Sequence, residues 1–236
     1  MRLLTREELN ASLASEDADS IFLDPLLRAD QVGEVTIDLR LGYDFLVSVL
    51  TRSPAVELNS TPESKYRGIQ TYFQETRRTL GERFVLYPHQ LVLGTTVEYL
   101  SLPPNIYTDV SVRSSYARLG IGISTSLQPG WRGCIPLELF NHGNTPVELV
   151  VGSCVCQARF FTFDGDAKYV RPEVRRKYYG SIRPVVSRAE RDSDLAILSR
   201  VSDAFDRPIE QATPPPVVDA ADIHLRVQAI PPTDPM

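Results

Sequence analysis

Two arginines and two serines lie close together in the nine-residue stretch Val112-Arg-Ser-Ser-Tyr-Ala-Arg-Leu-Gly120. Hydroxyl groups beside an arginine offer several donors to one anion, and the guanidinium group forms short charge-assisted hydrogen bonds to phosphate oxygens. Arg113, Ser114, Ser115 and Arg118 therefore indicate a phosphate-binding turn. A capped turn with solvated arginines is the commoner meaning of so short a motif when it is taken alone.

Glu138 is the second candidate, and it lies in the apolar strand sequence Cys134-Ile-Pro-Leu-Glu-Leu-Phe-Asn141. A carboxylate in apolar surroundings has to be paired or protonated. Paired with an arginine, it would be a base able to activate a water molecule. The alternative is a structural salt bridge inside the fold.

Other hydrolytic sites are excluded by the residues they require. Zinc-dependent base deaminases need a His-x-Glu pair and a Pro-Cys-x-x-Cys motif, whereas His89, His142 and His224 are scattered and none begins such a pair. A Gly-x-Ser-x-Gly nucleophile motif is also missing from the sequence. We therefore predict no protein-bound metal and no serine-hydrolase chemistry.

The composition is that of an ordinary globular protein, with 42% hydrophobic and 23% charged residues among 236. A net charge of −5 argues against a general nucleic-acid binder. Three cysteines without a framework spacing predict reduced thiols, and the sequence has neither a signal-peptide pattern nor a membrane-length apolar run. We expect a cytoplasmic protein that binds neither membranes nor nucleic acid.

Short strands are the elements that must position these residues. Thr5 and Glu8 predict the capping box of one helix over residues 5–14. After it, runs of alternating apolar and polar residues, separated by Pro, Gly and Asn, predict an all-β sandwich or barrel. These runs are Val35–Leu41, Phe45–Leu50, Phe84–Leu86, Gln90–Thr96, Tyr107–Val112, Cys134–Phe140, Val147–Val150 and Val155–Phe163.

The remaining segments are poor in apolar residues. Residues 52–82 predict a surface insertion, partly helical around Lys65–Arg77, and residues 171–188 form a basic, arginine-rich stretch. The domain is expected to span residues 1–190. Residues 191–236 are rich in proline and predict an extension rather than a second domain.

Several ordered landmarks together resemble the dCTP deaminase family of the dCTP deaminase and dUTPase superfamily. The landmarks are Val35-Thr-Ile-Asp-Leu-Arg-Leu-Gly42, Leu86-Tyr-Pro-His-Gln90, Val112–Gly120, Gln128-Pro-Gly-Trp-Arg-Gly133, Pro136-Leu-Glu-Leu-Phe-Asn141, Lys177-Tyr-Tyr-Gly180 and Ser187-Arg188. The resemblance implies a distorted jelly-roll or β-barrel of the dUTPase-like type, with a short N-terminal helix. It also implies a homotrimer with its sites at subunit interfaces, where arginines from neighbouring subunits contribute in some relatives.

The same resemblance implies metal-free hydrolytic deamination of dCTP to dUTP and ammonia. Glu138 matches the glutamate that moves a proton from water to the cytosine, Arg118 the arginine that pairs with it, and Ser114 the serine beside the reacting water. Magnesium is expected to arrive bound to the triphosphate. The implied nucleotide-binding residues are Arg113, Ser114, Ser115, Ser124, Thr125, Ser126, Gln128, Trp131, Gln157, Lys177, Tyr178 and Ser181.

Departures from the family pattern leave two alternatives open. The hairpin between Arg118 and Trp131 is shorter than the family pattern, Gln128 replaces an aspartate, and Glu173 stands where a tyrosine is expected. One alternative is a nucleotide-binding or regulatory trimer without turnover. The other is dUTP pyrophosphohydrolase activity. That reaction needs a water molecule held by an aspartate, so Gln128 at this position argues against it.

Overall fold

In a computed structural model of the chain, the structure describes residues 1–17, 19–50, 56, 58, 69–165, 167, 176–192, 194–195, 197–198 and 201. The chain divides into two compact units, Met1–Ala189 and Glu190–Met236. In the second unit, the N–H of Leu195 donates to the carbonyl of Asp192 at 3.2 Å. Residues 202–236 lie outside the described residues, so the predicted proline-rich extension stays a prediction.

Helix α1 spans Arg6–Ala14 and confirms the helix predicted over residues 5–14. The Thr5 hydroxyl accepts the backbone N–H of Glu8, and the Glu8 carboxylate accepts the backbone N–H of Thr5 at 3.0 Å. This reciprocal pair satisfies two donors that the first helical turn would otherwise leave free. Leu9 anchors the helix because its side chain is fully buried.

Strands account for most of the regular secondary structure described in the first unit, which confirms the all-β prediction. They are β1 Arg2–Leu3, β2 Phe22–Asp24, β3 Ile37–Arg40, β4 Asp44–Ser48, β5 Phe73–Arg77, β6 Arg83–Leu86, β7 Leu91–Ser101, β8 Ile106–Val112, β9 Ile121–Gly122, β10 Ser124–Leu127, β11 Arg132–Asn141, β12 Val147–Val150 and β13 Cys154–Thr162. A second short helix, α2, spans Ser114–Ala117. Single 3-10 turns cover Ala29–Gln31, Ile69–Tyr72 and Ala189–Arg191.

The strands pair antiparallel in two main sheets and one ribbon. The first sheet has the order β1-β13-β8-β10, with β3 also paired to β13. The second has the order β5-β4-β7-β11-β9, with β2 also paired to β7, and β6 pairs with β12 as the ribbon. Strands β7 and β11 are the two longest strands; they pair with each other across a register shift between Cys134 and Pro136, and they carry the candidate site.

The core lies between the inner faces of these sheets. Alternation along β11 buries Ile135, Leu137 and Leu139, whose side chains are at most 1% exposed. Phe45 of β4 stacks on Phe84 of β6, with ring centroids 4.3 Å apart. This distorted barrel with a short N-terminal helix is the fold class expected from the sequence.

The predicted helix around Lys65–Arg77 is wrong where the structure describes it. Ile69–Tyr72 form a single 3-10 turn, and Phe73–Arg77 form β5. Strand β5 pairs with β4 from Asp44 opposite Arg77 to Ser48 opposite Phe73. A neighbouring strand supplies backbone hydrogen bonds that local polar composition does not reveal, so tertiary pairing overrides the helical pattern. Residues 65–68 lie outside the described residues.

Candidate active site

A narrow pocket of about 50 Å³ lies where the segment around residues 178–185 meets the outer face of β11. Glu138 lines this pocket together with three other residues proposed from the sequence, Trp131, Tyr178 and Ser181. The rest of the lining is Thr95, Cys134, Pro136, Arg183 and Val185. This volume is that of a few water molecules at most. Residues 176–188, which contribute Tyr178, Ser181, Arg183 and Val185 to the lining, are called the closing segment below.

Strand alternation places Glu138 on the outer face of β11, and its side chain is exposed in the single chain. Leu137 and Leu139 on either side of it are buried. The expectation that Glu138 sits in apolar surroundings is therefore wrong for the isolated chain. The residues beside it in sequence are apolar because they fill the core, whereas every second residue faces outwards.

The predicted ion pair between Glu138 and Arg118 is not formed within the described chain. Arg118 follows the one-turn helix α2, and its side chain is exposed. Its backbone N–H donates to the carbonyl of Ser114 at 3.1 Å. The arginine is thus placed by a turn at the end of β8, outside the pocket that Glu138 lines.

A hydroxyl group contacts Glu138 instead of a guanidinium group. Thr125 Oγ1 of β10 lies 2.7 Å from Glu138 Oε2 and 3.0 Å from the carbonyl oxygen of Pro136. Ser124 and Ser126 alternate with Thr125 along the strand, and Ser126 forms a hydrogen bond with Tyr107. The three hydroxyl residues of β10 therefore do not meet in one place within the chain.

Arg113 is engaged by the barrel itself. Its guanidinium group lies 3.2 Å from a carboxylate oxygen of Asp38 and donates to the carbonyl of Cys154 at 3.2 Å. Burial raises the pKa of Asp38, and the charge of Arg113 opposes that rise. Ser114 and Ser115 begin α2 and are exposed, so the predicted phosphate-binding turn presents hydroxyl groups at the surface.

The closing segment docks on β11 through its backbone. The N–H of Gly180 donates to the carbonyl of Arg132 at 2.8 Å, and the N–H of Cys134 donates to the carbonyl of Ser181 at 3.0 Å. Gly133 between them has φ +138°, and a Cβ atom there would lie 2.6 Å from the Ser181 carbonyl oxygen. Glycine is the residue that allows this close approach of two backbones.

Three aromatic side chains make further contacts in the closing segment. Trp131 is 4% exposed, and its ring meets that of Tyr179 edge-on at 6.4 Å. The Tyr178 hydroxyl accepts the backbone N–H of Arg188 at 3.0 Å, and the Arg188 guanidinium donates to the carbonyl of Lys177. Lys177 and Tyr178 are thereby tied to the same docked segment.

Two proposed nucleotide-binding residues lie away from the pocket lining. Gln128 is exposed and forms a turn in which its carbonyl accepts the N–H of Trp131 at 3.1 Å. Gln157 is on β13 in the other main sheet, opposite Ser111 of β8. Strand pairing places Gln157 in a different sheet from Glu138, and sequence spacing alone could not reveal this.

Arg183 and Cys134 are pocket residues that the sequence reasoning did not single out. Arg183 Nε lies 3.6 Å from one carboxylate oxygen of Asp44, and Arg77 Nε lies 3.6 Å from the other. The basic character of residues 171–188 was the available signal for Arg183. Burial raises the pKa of the Cys134 thiol to about 11, so this side chain is a neutral wall of the pocket.

Within the residues that the structure describes, no group of three or more His, Cys, Asp or Glu side chains is arranged to hold a metal ion. All three cysteines are free thiols, and Cys156 is fully buried. Among the same residues, no helix is both long and apolar enough to cross a membrane.

The pocket offers one carboxylate, that of Glu138, beside the hydroxyl group of Thr125. This arrangement is suited to proton transfer with water.

Residues 3–163 match the family model described as dCTP deaminase-like. A protein of Methanobrevibacter smithii named "dCTP deaminase, dUMP-forming" is 33% identical over 180 residues, which cover 74% of this chain and 90% of that protein. A dCTP deaminase of Halorubrum lacusprofundi is 37% identical over 182 residues, 74% of this chain and 86% of the relative.

Among solved structures, 2'-deoxycytidine 5'-triphosphate deaminase from Agrobacterium tumefaciens matches with a TM-score of 0.50 and 24% sequence identity. The match covers 67% of this chain and 47% of that chain. This likeness concerns the fold alone, and it agrees with the barrel described above.

Proposed function

The chain belongs to the dCTP deaminase-like family, and from that premise we propose that it hydrolyses dCTP to dUTP and ammonia. The observation that carries the proposal is the pocket on β11. There Glu138 lies with Trp131, Tyr178 and Ser181, three residues that the family resemblance also implies as nucleotide-binding.

The proposed reaction consumes one water and needs no metal bound by the protein. Glu138 takes a proton from the water, the resulting hydroxide attacks the ring carbon that bears the amine, and the proton passes to the ring nitrogen. The amine then leaves as ammonia, after receiving a second proton from the added hydroxyl group. One carboxylate serves first as base and then as acid, a role that contributes about 10²–10⁴-fold to the rate.

Arg113, Ser114, Ser115 and Arg118 are proposed to act on a site of a neighbouring subunit in a homotrimer. In support, Ser114, Ser115 and Arg118 are exposed and lie outside the pocket lining of their own chain. A guanidinium group from a neighbour would pair with Glu138, whose carboxylate is exposed in the single chain. Closure by a partner would also remove water, which strengthens charge interactions in the site.

The triphosphate is proposed to bring its own magnesium ion and to lie beneath the closing segment. Lys177 and Arg183 supply positive charge there, and Tyr178 and Ser181 supply hydroxyl groups. Ser124, Ser126, Gln128 and Gln157 complete the proposed nucleotide-binding set. The pocket lining contains a single carboxylate, that of Glu138, and Mg²⁺ in phosphate sites is usually held by one or two carboxylates and the substrate phosphates.

A second candidate product is dUMP, because the Methanobrevibacter smithii relative is named as dUMP-forming. Removal of pyrophosphate requires a second water held near the α-phosphate by a carboxylate. Gln128 stands where the family pattern has an aspartate, and a neutral amide is a poor base for that water. We therefore place dUTP ahead of dUMP.

The test is ammonia release from dCTP and magnesium by the purified full-length chain, with the nucleotide products separated by chromatography. We expect dUTP and ammonia in equal amounts from the wild type, and no detectable ammonia from Glu138→Gln. Glu148→Gln makes the same change on an exposed strand position of β12 that lies outside the pocket lining, and it serves as the matched control.

Each alternative has its own outcome in this experiment. Tight binding of dCTP by a wild-type chain that releases no ammonia would replace the enzyme with a nucleotide-binding or regulatory protein. The appearance of dUMP and pyrophosphate would assign the second activity. Ammonia release that survives Glu138→Gln would remove Glu138 from the mechanism.

A further inference from the structure

The hydroxyl group of Thr125 touches two acceptors on one edge of β11. Its oxygen lies 2.7 Å from Glu138 Oε2 and 3.0 Å from the carbonyl oxygen of Pro136. Thr125 is half-buried, and it is the residue of β10 whose side chain reaches this edge in the hydrogen bonds of the described chain. The residues that carry the two acceptors, Pro136 and Glu138, are two positions apart in β11, which is one repeat of a strand.

A threonine hydroxyl carries one proton and can donate it to only one acceptor at a time. An ionised carboxylate is a stronger acceptor than a peptide carbonyl, and the shorter of the two distances is the one to Glu138. The proton therefore lies toward Glu138 Oε2 when that group is charged. The Pro136 carbonyl is a second acceptor for the same proton when the carboxyl group is neutral.

The other carboxylate oxygen, Oε1, accepts no hydrogen bond from the residues that the structure describes. The two oxygens of Glu138 are thus unequal within the chain. One is held by a hydroxyl group of the same barrel, and the other has no such partner among the described residues.

We propose that Thr125 is a positioning residue that fixes Glu138 Oε2 and leaves Oε1 as the oxygen that exchanges the proton with water and with the nucleotide base. This inference rests on the proposed function and assigns to Thr125 a role through Glu138 rather than a contact to the nucleotide. In the cycle, Oε1 takes a proton from water and later gives it to the ring nitrogen. The Thr125 hydroxyl keeps the carboxyl plane fixed by donating to Oε2 and adds no proton of its own.

The proposal predicts that loss of the Thr125 hydroxyl group lowers kcat and leaves KM almost unchanged. Thr125→Val keeps the shape of the side chain but removes the hydroxyl group, and we expect kcat for ammonia release to fall about tenfold, the low end for loss of a hydrogen bond to a charged group. KM for dCTP should stay within about twofold, because an interaction that positions a catalytic group without holding the substrate contributes little to KM. Thr125→Ser keeps a hydroxyl group and should restore most of kcat.

The matched control is Thr108→Val, which makes the same atomic change on β8, the strand paired with β10. Thr108 lies outside the pocket lining, and its variant should keep the wild-type kcat. Thermal unfolding of each variant shows whether the chain is folded.

The outcomes distinguish this inference from the proposed function beneath it. A wild-type chain that releases no ammonia overturns both. An active wild type with a Thr125→Val variant of equal kcat overturns the positioning role alone. A variant with raised KM and unchanged kcat also overturns it, because that result assigns Thr125 to direct nucleotide binding.

Discussion

The backbone N–H of Arg40 donates a hydrogen bond of 2.9 Å to the carboxylate of Glu98, which is completely buried on β7. The other carboxylate oxygen accepts the side-chain amide of Gln31 at 3.2 Å. Arg40 Nε lies 4.0 Å from that oxygen, too far for a hydrogen bond. Burial raises the pKa of Glu98 above its ordinary value, and these hydrogen bonds oppose the rise.

Glu98→Gln is expected to lower the free energy of unfolding by about 2 kcal/mol, the cost of leaving buried donors unmatched. The new amide keeps one oxygen acceptor but turns its NH2 group toward either Arg40 or Gln31, each of which already donates to this position. Urea unfolding followed by tryptophan fluorescence measures the change. Glu148→Gln is the control, because its carboxylate is exposed and its loss should change stability by less than about 0.5 kcal/mol.

The pH dependence of the unfolding free energies of the wild type and Glu98→Gln tests the pKa of Glu98. Its folded-state pKa is above the ordinary value of 4.5. Its contribution to stability is therefore fully present below pH 4.5 and is lost as the pH rises through the folded-state pKa. The difference in unfolding free energy between the wild type and Glu98→Gln should be largest in acid and smaller at neutral pH. A difference that widens with rising pH would contradict the assignment.

Two buried threonines differ in hydrogen bonding, so a comparison between them measures what a buried hydroxyl group contributes to the free energy of unfolding. Thr96 Oγ1 donates to the carbonyl of Glu98 at 2.8 Å and accepts the N–H of Ile135 at 3.0 Å. Thr108 Oγ1 is equally buried, but it has no hydrogen-bond partner among the described residues. The same substitution should therefore have opposite effects at the two positions.

Thr96→Val is expected to lower the unfolding free energy by about 1–3 kcal/mol, because it leaves the Ile135 N–H buried without an acceptor. Thr108→Val should raise it by about 1 kcal/mol, because it removes a polar group that gains nothing from the fold. Calorimetric Tm values measure both changes. Equal destabilisation of the two variants would mean that Thr108 has a partner in solution.

The sequence predicted the elements whose signals are local. The capping box of Thr5 and Glu8 was confirmed, as were the strands marked by alternating apolar residues. It failed at Phe73–Arg77, where a polar run becomes a strand because β4 pairs with it. It also missed the buried carboxylate of Glu98, whose partners Arg40 and Gln31 lie 58 and 67 residues away.

The candidate site was likewise predicted in part from the sequence. The family resemblance selected Trp131 and Tyr178, and both line the pocket with Glu138. Strand alternation does indicate that Glu138 faces away from the leucines on either side of it. The prediction of apolar surroundings was wrong because it took these sequence neighbours as spatial neighbours of the carboxylate. Arg183 was missed because its carboxylate partner, Asp44, is remote in sequence and becomes its neighbour only after the closing segment docks.

Docking of the closing segment is tested by two glycine substitutions with different surroundings. Gly133 and Gly81 both have positive φ, at +138° and +87°. A Cβ at Gly133 would lie 2.6 Å from the carbonyl oxygen of Ser181, whereas a Cβ at Gly81 would have no heavy atom within 4 Å. Alanine strains the backbone at either position, but only at Gly133 does it also push against the segment over the pocket.

Gly81→Ala is expected to cost about 1–2 kcal/mol of stability through backbone strain and to leave ammonia release unchanged. Gly133→Ala should have a similar strain cost and should also lower kcat/KM for dCTP by about tenfold or more, because it displaces Ser181 and Tyr178 from the pocket. Hydrogen exchange at the amides of Gly180 and Cys134 supplies an independent measurement. Faster exchange at both in Gly133→Ala, but not in Gly81→Ala, locates the defect in docking. A Gly133→Ala variant with wild-type exchange at these amides and reduced kcat/KM would instead show that the segment stays in place and that the substitution acts on β11 itself.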